Sequence, residues 1–353
     1  MPLPRSTNRR ATLKTLATLP LFIATRRTVR ARQKSSTPAH HTAGGFRNTA
    51  AGYREASGWE FAVWIAGKLG EMFSKGEAVS IGRMTNDGSH LRTAIDDTVT
   101  WIGHTTVLIQ LEGKNILTDP VWSARAGPMN RFGPARLTPP GMALGDLPSI
   151  DIVLLSHNHY DHLDADAVRE LGKNPATKFF VPLGMKEWFA DEGITNVQEM
   201  DWWDSQSVNG LHHTCTPAQH FSGRGLSDRN KTLWGSWCVE GKTKKFFFAG
   251  DSGYSAHFKD IGTRLGPFDL SLMPIGAYDP RRLMRPVHMD PDEAVRASLE
   301  VGARTMLATH WGSFKLTDER LDDPPKKMEE AVRARNLPHE HYWAFLLGET
   351  RKW

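Results

Sequence analysis

The segment "LLSHNHYDHLD", residues 154–164, constrains this chain more than any other. It follows the apolar run "IDIVLL" and places His157, His159, Asp161, His162 and Asp164 within eight residues. A short run of Ile, Val and Leu reads as a strand buried on both faces. Polar groups at the end of such a strand are costly unless something pairs with them. Imidazole nitrogens and carboxylate oxygens are ligands that suit zinc and similar divalent ions.

Three later runs end the same way. "HHTCTPAQ" leads into His220, "KKFFFAG" into Asp251 and "TMLAT" into His310. With His157, His159, Asp161 and His162 they supply seven candidate ligands. A closed structural zinc takes four. Seven are too many for one tetrahedral ion and suit two ions that share a carboxylate. Strand ends provide the rigid support such a site needs.

The segments around these ends predict a layered α/β fold. "TVTWIGHTTVLIQLEGKNILTDP" reads as short β-branched strands with a hairpin at "EGKN". Helical segments are expected near 164–172, 184–192 and 291–301. A long loop rich in Gly, Pro and Arg, "SARAGPMNRFGPARLTPPG", is of the length often kept for function. Residues 97–353 therefore read as one α/β domain. Residues 37–96 read as an arm with a helix over 58–73 that packs Trp59, Val63, Ala66, Leu69 and Phe73 on the core. A lipid-touching surface is the alternative for that face. His40, His41, His212 and His213 match no pattern and are expected at the surface.

Charge narrows the partners. The chain carries +5 overall, but residues 1–36 hold nine Lys or Arg and no acid. Removing those nine from the 44 basic residues leaves 35 against 39 acidic ones. The folded body is thus mildly acidic, and nucleic acid is not an expected partner. The leader 1–36 pairs Arg9-Arg10 with a short apolar stretch and resembles a twin-arginine export signal, pointing to a periplasmic or membrane-associated location. A mitochondrial-type transit peptide or a plain basic tail on a cytoplasmic protein are the alternatives. No apolar run reaches the roughly 18–20 residues needed to cross a bilayer. Cys215 and Cys238 make no disulfide framework and read as buried small residues.

"SHNHYDHLD" carries the H-x-H-x-D-H signature of the metallo-β-lactamase superfamily. With "TPAQHFSGRG", "AGDSGY", "MPIGAYDPRRLM", "HMDPDEAV" and "THWGSF", the chain resembles that superfamily's N-acylphosphatidylethanolamine-hydrolysing phospholipase D branch, over roughly 97–350. The resemblance implies an αββα sandwich of two mixed sheets with outer helices. It implies one metal on His157, His159 and His220, another on Asp161, His162 and His310, and Asp251 between them. The ions would be zinc, with manganese or iron as alternatives. Asp161 or Asp251 would accept the proton of the attacking water, and His288 would contact the substrate phosphate. Tyr278, Arg281 and Asn130 would line the substrate pocket, and His104 would support the metal edge. The expected reaction is hydrolysis of N-acylphosphatidylethanolamine to phosphatidic acid and an N-acylethanolamine, by a homodimer at a membrane surface. A lactonase, a small-molecule phosphodiesterase and a metal- or lipid-binding protein without turnover are the competing readings. No G-x-S-x-G motif supplies a serine nucleophile.

Overall fold

The described residues open with a small hairpin, β1 (His41–Thr42) and β2 (Gly45–Phe46), ahead of helix α1 (Gly58–Phe73). Strands β3 (Thr98–Gly103), β4 (Thr106–Leu111), β5 (Lys114–Thr118) and β6 (Ile152–Leu154) follow. Next come α2 (Ala165–Gly172), β7 (Lys178–Pro182), α3 (Lys186–Asp191) and β8 (Val197–Met200). A meander follows of β9 (Ser205–Val208), β10 (Leu211–Thr216), β11 (Ser236–Glu240) and β12 (Lys245–Phe248). The rest is α4 (His257–Leu265), β13 (Phe268–Pro274), α5 (Arg281–Met284), α6 (Pro291–Val301) and β14 (Ala303–Thr309). It ends with α7 (Asp323–Ala334), β15 (Tyr342–Trp343) and β16 (Thr350–Lys352). This computed structural model describes residues 37–54, 57–73, 81–93 and 96–353, so the leader lies outside the described residues. Ala39–Trp353 is one compact unit.

Two seven-stranded sheets carry the fold, in the orders β16-β3-β4-β5-β6-β7-β8 and β15-β14-β13-β12-β11-β10-β9. Each is antiparallel at one end and parallel at the other. In the first, β16 to β5 are antiparallel and β5 to β8 parallel. In the second, β9 to β12 are antiparallel and β12 to β15 parallel. Parallel neighbours need long crossovers, which here hold the helices.

The two-residue period of a strand explains why its sequence is apolar throughout. Ile152 and Leu154 of β6 point into the core between the sheets, with Trp237, Val239, Phe246 and Phe248 of the second sheet. Val153 and Leu155 point the other way and pack with Val168 of α2 and Phe189 of α3. Each fully buried large side chain contributes about 1.5–3 kcal/mol. Summed over both faces, this burial fixes the strand ends in space. The architecture is the αββα sandwich that the family resemblance implied. Cys215 and Cys238 are buried free thiols, as expected.

Helix α1 departs from expectation. Trp59 is 78% exposed, Val63 is 53% exposed, and Ala66 is also exposed. These residues turn outward instead of packing on the core. The side chains of Leu69 and Phe73 lie outside the described residues. Contact with the body comes from another side of the helix, where Trp64 Nε1 donates to Asp318 Oδ2 at 3.2 Å. A helical period shows that two faces differ. It does not show which of them is covered.

Candidate metal centre

The candidate ligands sit on loops leaving the C-terminal ends of strands from both sheets. His157, His159, Asp161 and His162 follow β6. His220 follows β10, Asp251 follows β12 and His310 directly follows β14. His310 has φ 59° and His104 φ 53°, left-handed conformations that reverse the chain just past β14 and β3. Backbone bonding ties those two turns together, with His310 N–H donating to His104 C=O at 3.0 Å.

These residues gather into two groups. His157, His159 and His220 form one, with His157 Nε2 2.8 Å from His159 Nδ1 and His220 Nε2 3.3 Å from that same atom. Asp161, His162 and His310 form the other, joined by His104. Asp251 lies between the groups. Its Oδ2 stands 3.0 Å from His310 Nε2, 3.1 Å from His162 Nε2 and 3.8 Å from His220 Nε2. All seven expected ligands thus converge.

Residues behind them orient the rings. Asp119, which follows β5, accepts from His162 Nδ1–H at 2.6 Å and from the Ser156 hydroxyl at 2.6 Å. Ser156 Oγ in turn lies 2.9 Å from His157 Nδ1. His220 Nδ1–H donates to Val287 C=O at 2.9 Å, which turns Nε2 toward the centre. His104 Nε2 lies 3.1 Å from Asp161 Oδ2. Asn48 grips the backbone of His220 from the arm: its amide donates to His220 C=O at 2.7 Å and accepts from His220 N–H at 3.1 Å. Sequence reasoning missed Asp119, Ser156 and Asn48. Asp119 closes a segment that reads only as strand, and Asn48 lies in the arm, far in sequence from the centre.

Electrostatics divide the histidines. Burial drives His157 and His220 well below the ordinary imidazole value and His159 to about 4, so these rings are neutral and their lone pairs are available. Burial opposes charge on His162 and His310 too, but the carboxylates of Asp251 and Asp161 outweigh it. They lift His162 well above its ordinary value and His310 to about 9. Both aspartates, despite burial, are held well below the ordinary carboxylate range by the imidazoles around them, His162 foremost.

The donor set fits divalent metal. Among the described residues, His162 Nε2, His310 Nε2, His288 Nδ1 and Asp251 Oδ1 are buried with no hydrogen-bond partner. Unpaired polar atoms are costly in an interior, and a cation beside Asp251 would satisfy them together. Metal binding here would displace protons from His162 and His310, so affinity rises with pH.

An apolar cleft of about 450 Å³ opens onto the centre. His159, Asp161, Asp251 and His288 form its floor, and Phe221, Leu283, Met284, Val287 and Leu316 its walls. Gly58 and Trp64 place α1 at the cleft, and Arg229 adds a cation whose guanidinium lies 4.3 Å from the Phe221 ring centroid. His288 borders the cleft, with Nδ1 3.9 Å from Asp251 Oδ2.

The other expected substrate residues are corrected. Arg281 does not line the cleft; it donates to His288 C=O at 2.9 Å and pairs with Glu293 at 2.5 Å, supporting the His288 loop from behind. Tyr278 is buried under Lys327, whose ammonium lies 4.7 Å from its ring centroid. Asn130 is held on the surface by Asp166 of α2. Two histidines expected at the surface are also buried: His213 stacks on Phe180 at 4.6 Å, and His40 stacks on Trp202 at 4.2 Å.

Residues 114–311 match the family model described as the beta-lactamase superfamily domain. The chain belongs to the metallo-β-lactamase superfamily and is a metal-dependent hydrolase. It is 45% identical over 267 residues to N-acyl-phosphatidylethanolamine-hydrolyzing phospholipase D 1 of Caenorhabditis elegans, which covers 72% of this chain and 74% of the relative. Within the superfamily it therefore falls in that phospholipase D branch. The mitochondrial enzyme of the same name from Saccharomyces cerevisiae is 35% identical, and the match covers 69% of this chain and 55% of the yeast protein. Among solved structures, a possible metal-dependent hydrolase from Veillonella parvula shares the fold, with TM-score 0.58 at 17% identity, covering 73% of this chain and all of that one. An isothiocyanate hydrolase from Delia radicum gut bacteria does so with TM-score 0.57 at 21% identity, covering 72% and 99%.

Proposed function

We propose that this chain is a dinuclear phosphodiester hydrolase that cleaves N-acylphosphatidylethanolamine to phosphatidic acid and an N-acylethanolamine. The observation that carries this reading is the coupling of two three-ligand groups, with Asp251 between them, to a cleft with apolar walls. In the proposed assignment His157, His159 and His220 would hold one ion, Asp161, His162 and His310 would hold the other, and Asp251 would be shared between them. Imidazole-rich sets of this kind suit zinc. Bound divalent ions supply hydroxide at neutral pH and neutralise charge that develops on the phosphodiester.

The chain's own residues do the rest. Asp161 and Asp251 are ionised and border the cleft floor, so either can take the proton of the attacking water. His288 is lowered to about 4 by burial and is neutral at pH 7. It holds the ester by a hydrogen bond rather than standing ready as an acid. The apolar walls accept acyl chains and exclude water from the diester. The exposed Trp59 and Val63 of α1, beside the cleft, suit contact with a lipid surface. Among the described residues no helix is long and apolar enough to cross a membrane.

Mass spectrometry of products tests the substrate. Metal-loaded protein in mixed micelles with N-acylphosphatidylethanolamine is expected to release both products. Absence of release, with metal bound, would move the search to lactones and small phosphodiesters. Delivery is proposed to use the twin-arginine leader. Arg9→Lys with Arg10→Lys is expected to retain the protein in the cytoplasm of a bacterial host, as read by fractionation. Continued export of that variant would overturn the assignment.

A further inference from the structure

We propose that His40, His41 and Asp201 form an additional divalent-metal site, outside the hydrolytic centre, that fastens the segment before α1 to the body. The two histidines are adjacent in sequence, yet both aim at one carboxylate. His40 Nε2 lies 2.6 Å from Asp201 Oδ1, and His41 Nε2 lies 2.8 Å from Asp201 Oδ2. The three donor atoms fall within 4.8 Å of one another. Two imidazoles and a carboxylate are a zinc-type donor set with a position to spare. Half-buried Asp201 and His41 leave an approach from solvent for water to fill it.

Hydrogen bonding alone would also bring two imidazoles to one carboxylate, so the arrangement of the rings decides. The His40 and His41 centroids are 4.6 Å apart with planes at 68°. In the hydrolytic centre, His157 and His159 stand 4.4 Å apart at 82°, and His157 and His220 4.6 Å apart at 75°. The pair beside Asp201 repeats the edge-on packing of imidazoles that converge on one point. Its orientation is also built in. The His40 ring stacks on Trp202, 4.2 Å away at 27°, and lies near-parallel to Phe46, 6.4 Å away at 20°. Asp201 Oδ1 accepts the Trp202 N–H at 2.8 Å, which sets the plane of the carboxylate. Supports of this kind orient the ligands of metal sites.

The site has a consequence for the arm. Its metal would tie residues 40 and 41 to residue 201 across a large part of the sequence. The tethered segment continues through β2, where Phe46 N–H donates to Asn230 C=O at 2.8 Å, to Asn48, which grips the backbone of His220. A metal at the arm therefore steadies a residue of the hydrolytic centre while sharing no ligand with it.

Metal content and position test the proposal in the full chain. Zinc per chain would be measured after dialysis for the wild type, His41→Gln and Asp201→Asn. Each variant is expected to carry one equivalent less than the wild type. A crystal of the wild type, with anomalous diffraction at the zinc edge, is expected to show a peak about 2.0–2.2 Å from His40 Nε2 and His41 Nε2. Equal zinc content in wild type and variants, or no peak between these residues, would overturn it. If the variants fail to fold, the anomalous map of the wild type decides alone.

Discussion

Replacing Asp251 with asparagine is expected to abolish turnover and to remove about one metal ion per chain. One carboxylate oxygen of Asp251 faces His310, His162 and His220 at 3.0, 3.1 and 3.8 Å, so it addresses both ligand groups at once. Asparagine keeps the shape but loses the charge, and half of its amide presents N–H groups to a space that needs an acceptor. Asp161 would then be the only carboxylate among the seven ligands. Removing preorganised charge from a reacting centre costs about 10²–10³-fold, and loss of an ion adds to that. Elemental analysis and product quantitation read the two effects separately. Wild-type metal content in the variant would overturn the bridging role of Asp251.

Asp119→Asn is expected to weaken metal binding by about 10–100-fold, with turnover recovering at excess metal. Asp119 is fully buried and touches none of the cleft; its work is on His162 and Ser156. Its carboxylate accepts the Nδ1–H of His162, so the proton that a metal displaces is the one on Nε2, whose lone pair then faces the centre. An asparagine amide would set N–H against that ring or against the Ser156 hydroxyl, and the ring would turn or change tautomer. A metal titration followed by activity reads this directly. Unchanged affinity would mean that the packing around His162 holds the ring without Asp119.

The sequence was most legible where chemistry concentrates. Histidine and aspartate at the ends of apolar runs are costly to bury singly, so their repetition at residues 157–162, 220, 251 and 310 pointed to a shared partner, and the fold brings all of them together. The elements that carry them were legible for the same reason, as apolar runs at strand or helix period. Other features leave no such mark. Asp119 ends a run that reads as strand, and only the folded loop shows that it faces His162. Phe221, Leu283, Met284 and Val287 are apolar residues among many, and nothing local says that they wall a cleft. Arg281 and Tyr278 lie close in sequence to His288, yet the capping box of α6 and the Glu293 pair turn Arg281 behind the loop instead of into the pocket. Distance along the chain gave the neighbourhood of these residues but not the direction of their side chains.

The pairing of β16 with β3 sets an order on biosynthesis. Arg351 lies opposite Val99 in that antiparallel ladder, and the two are separated by nearly the whole body. While the chain emerges from the ribosome, β3 can pair with β4 on one side, but its other edge waits until residues 350–352 have been made. An open strand edge is a template for pairing with other chains, and contacts this distant in sequence form slowly. Between the synthesis of residue 103 and that of residue 350 that edge of β3 lacks its partner, and chaperones that shield unpaired strands would act on it during that interval.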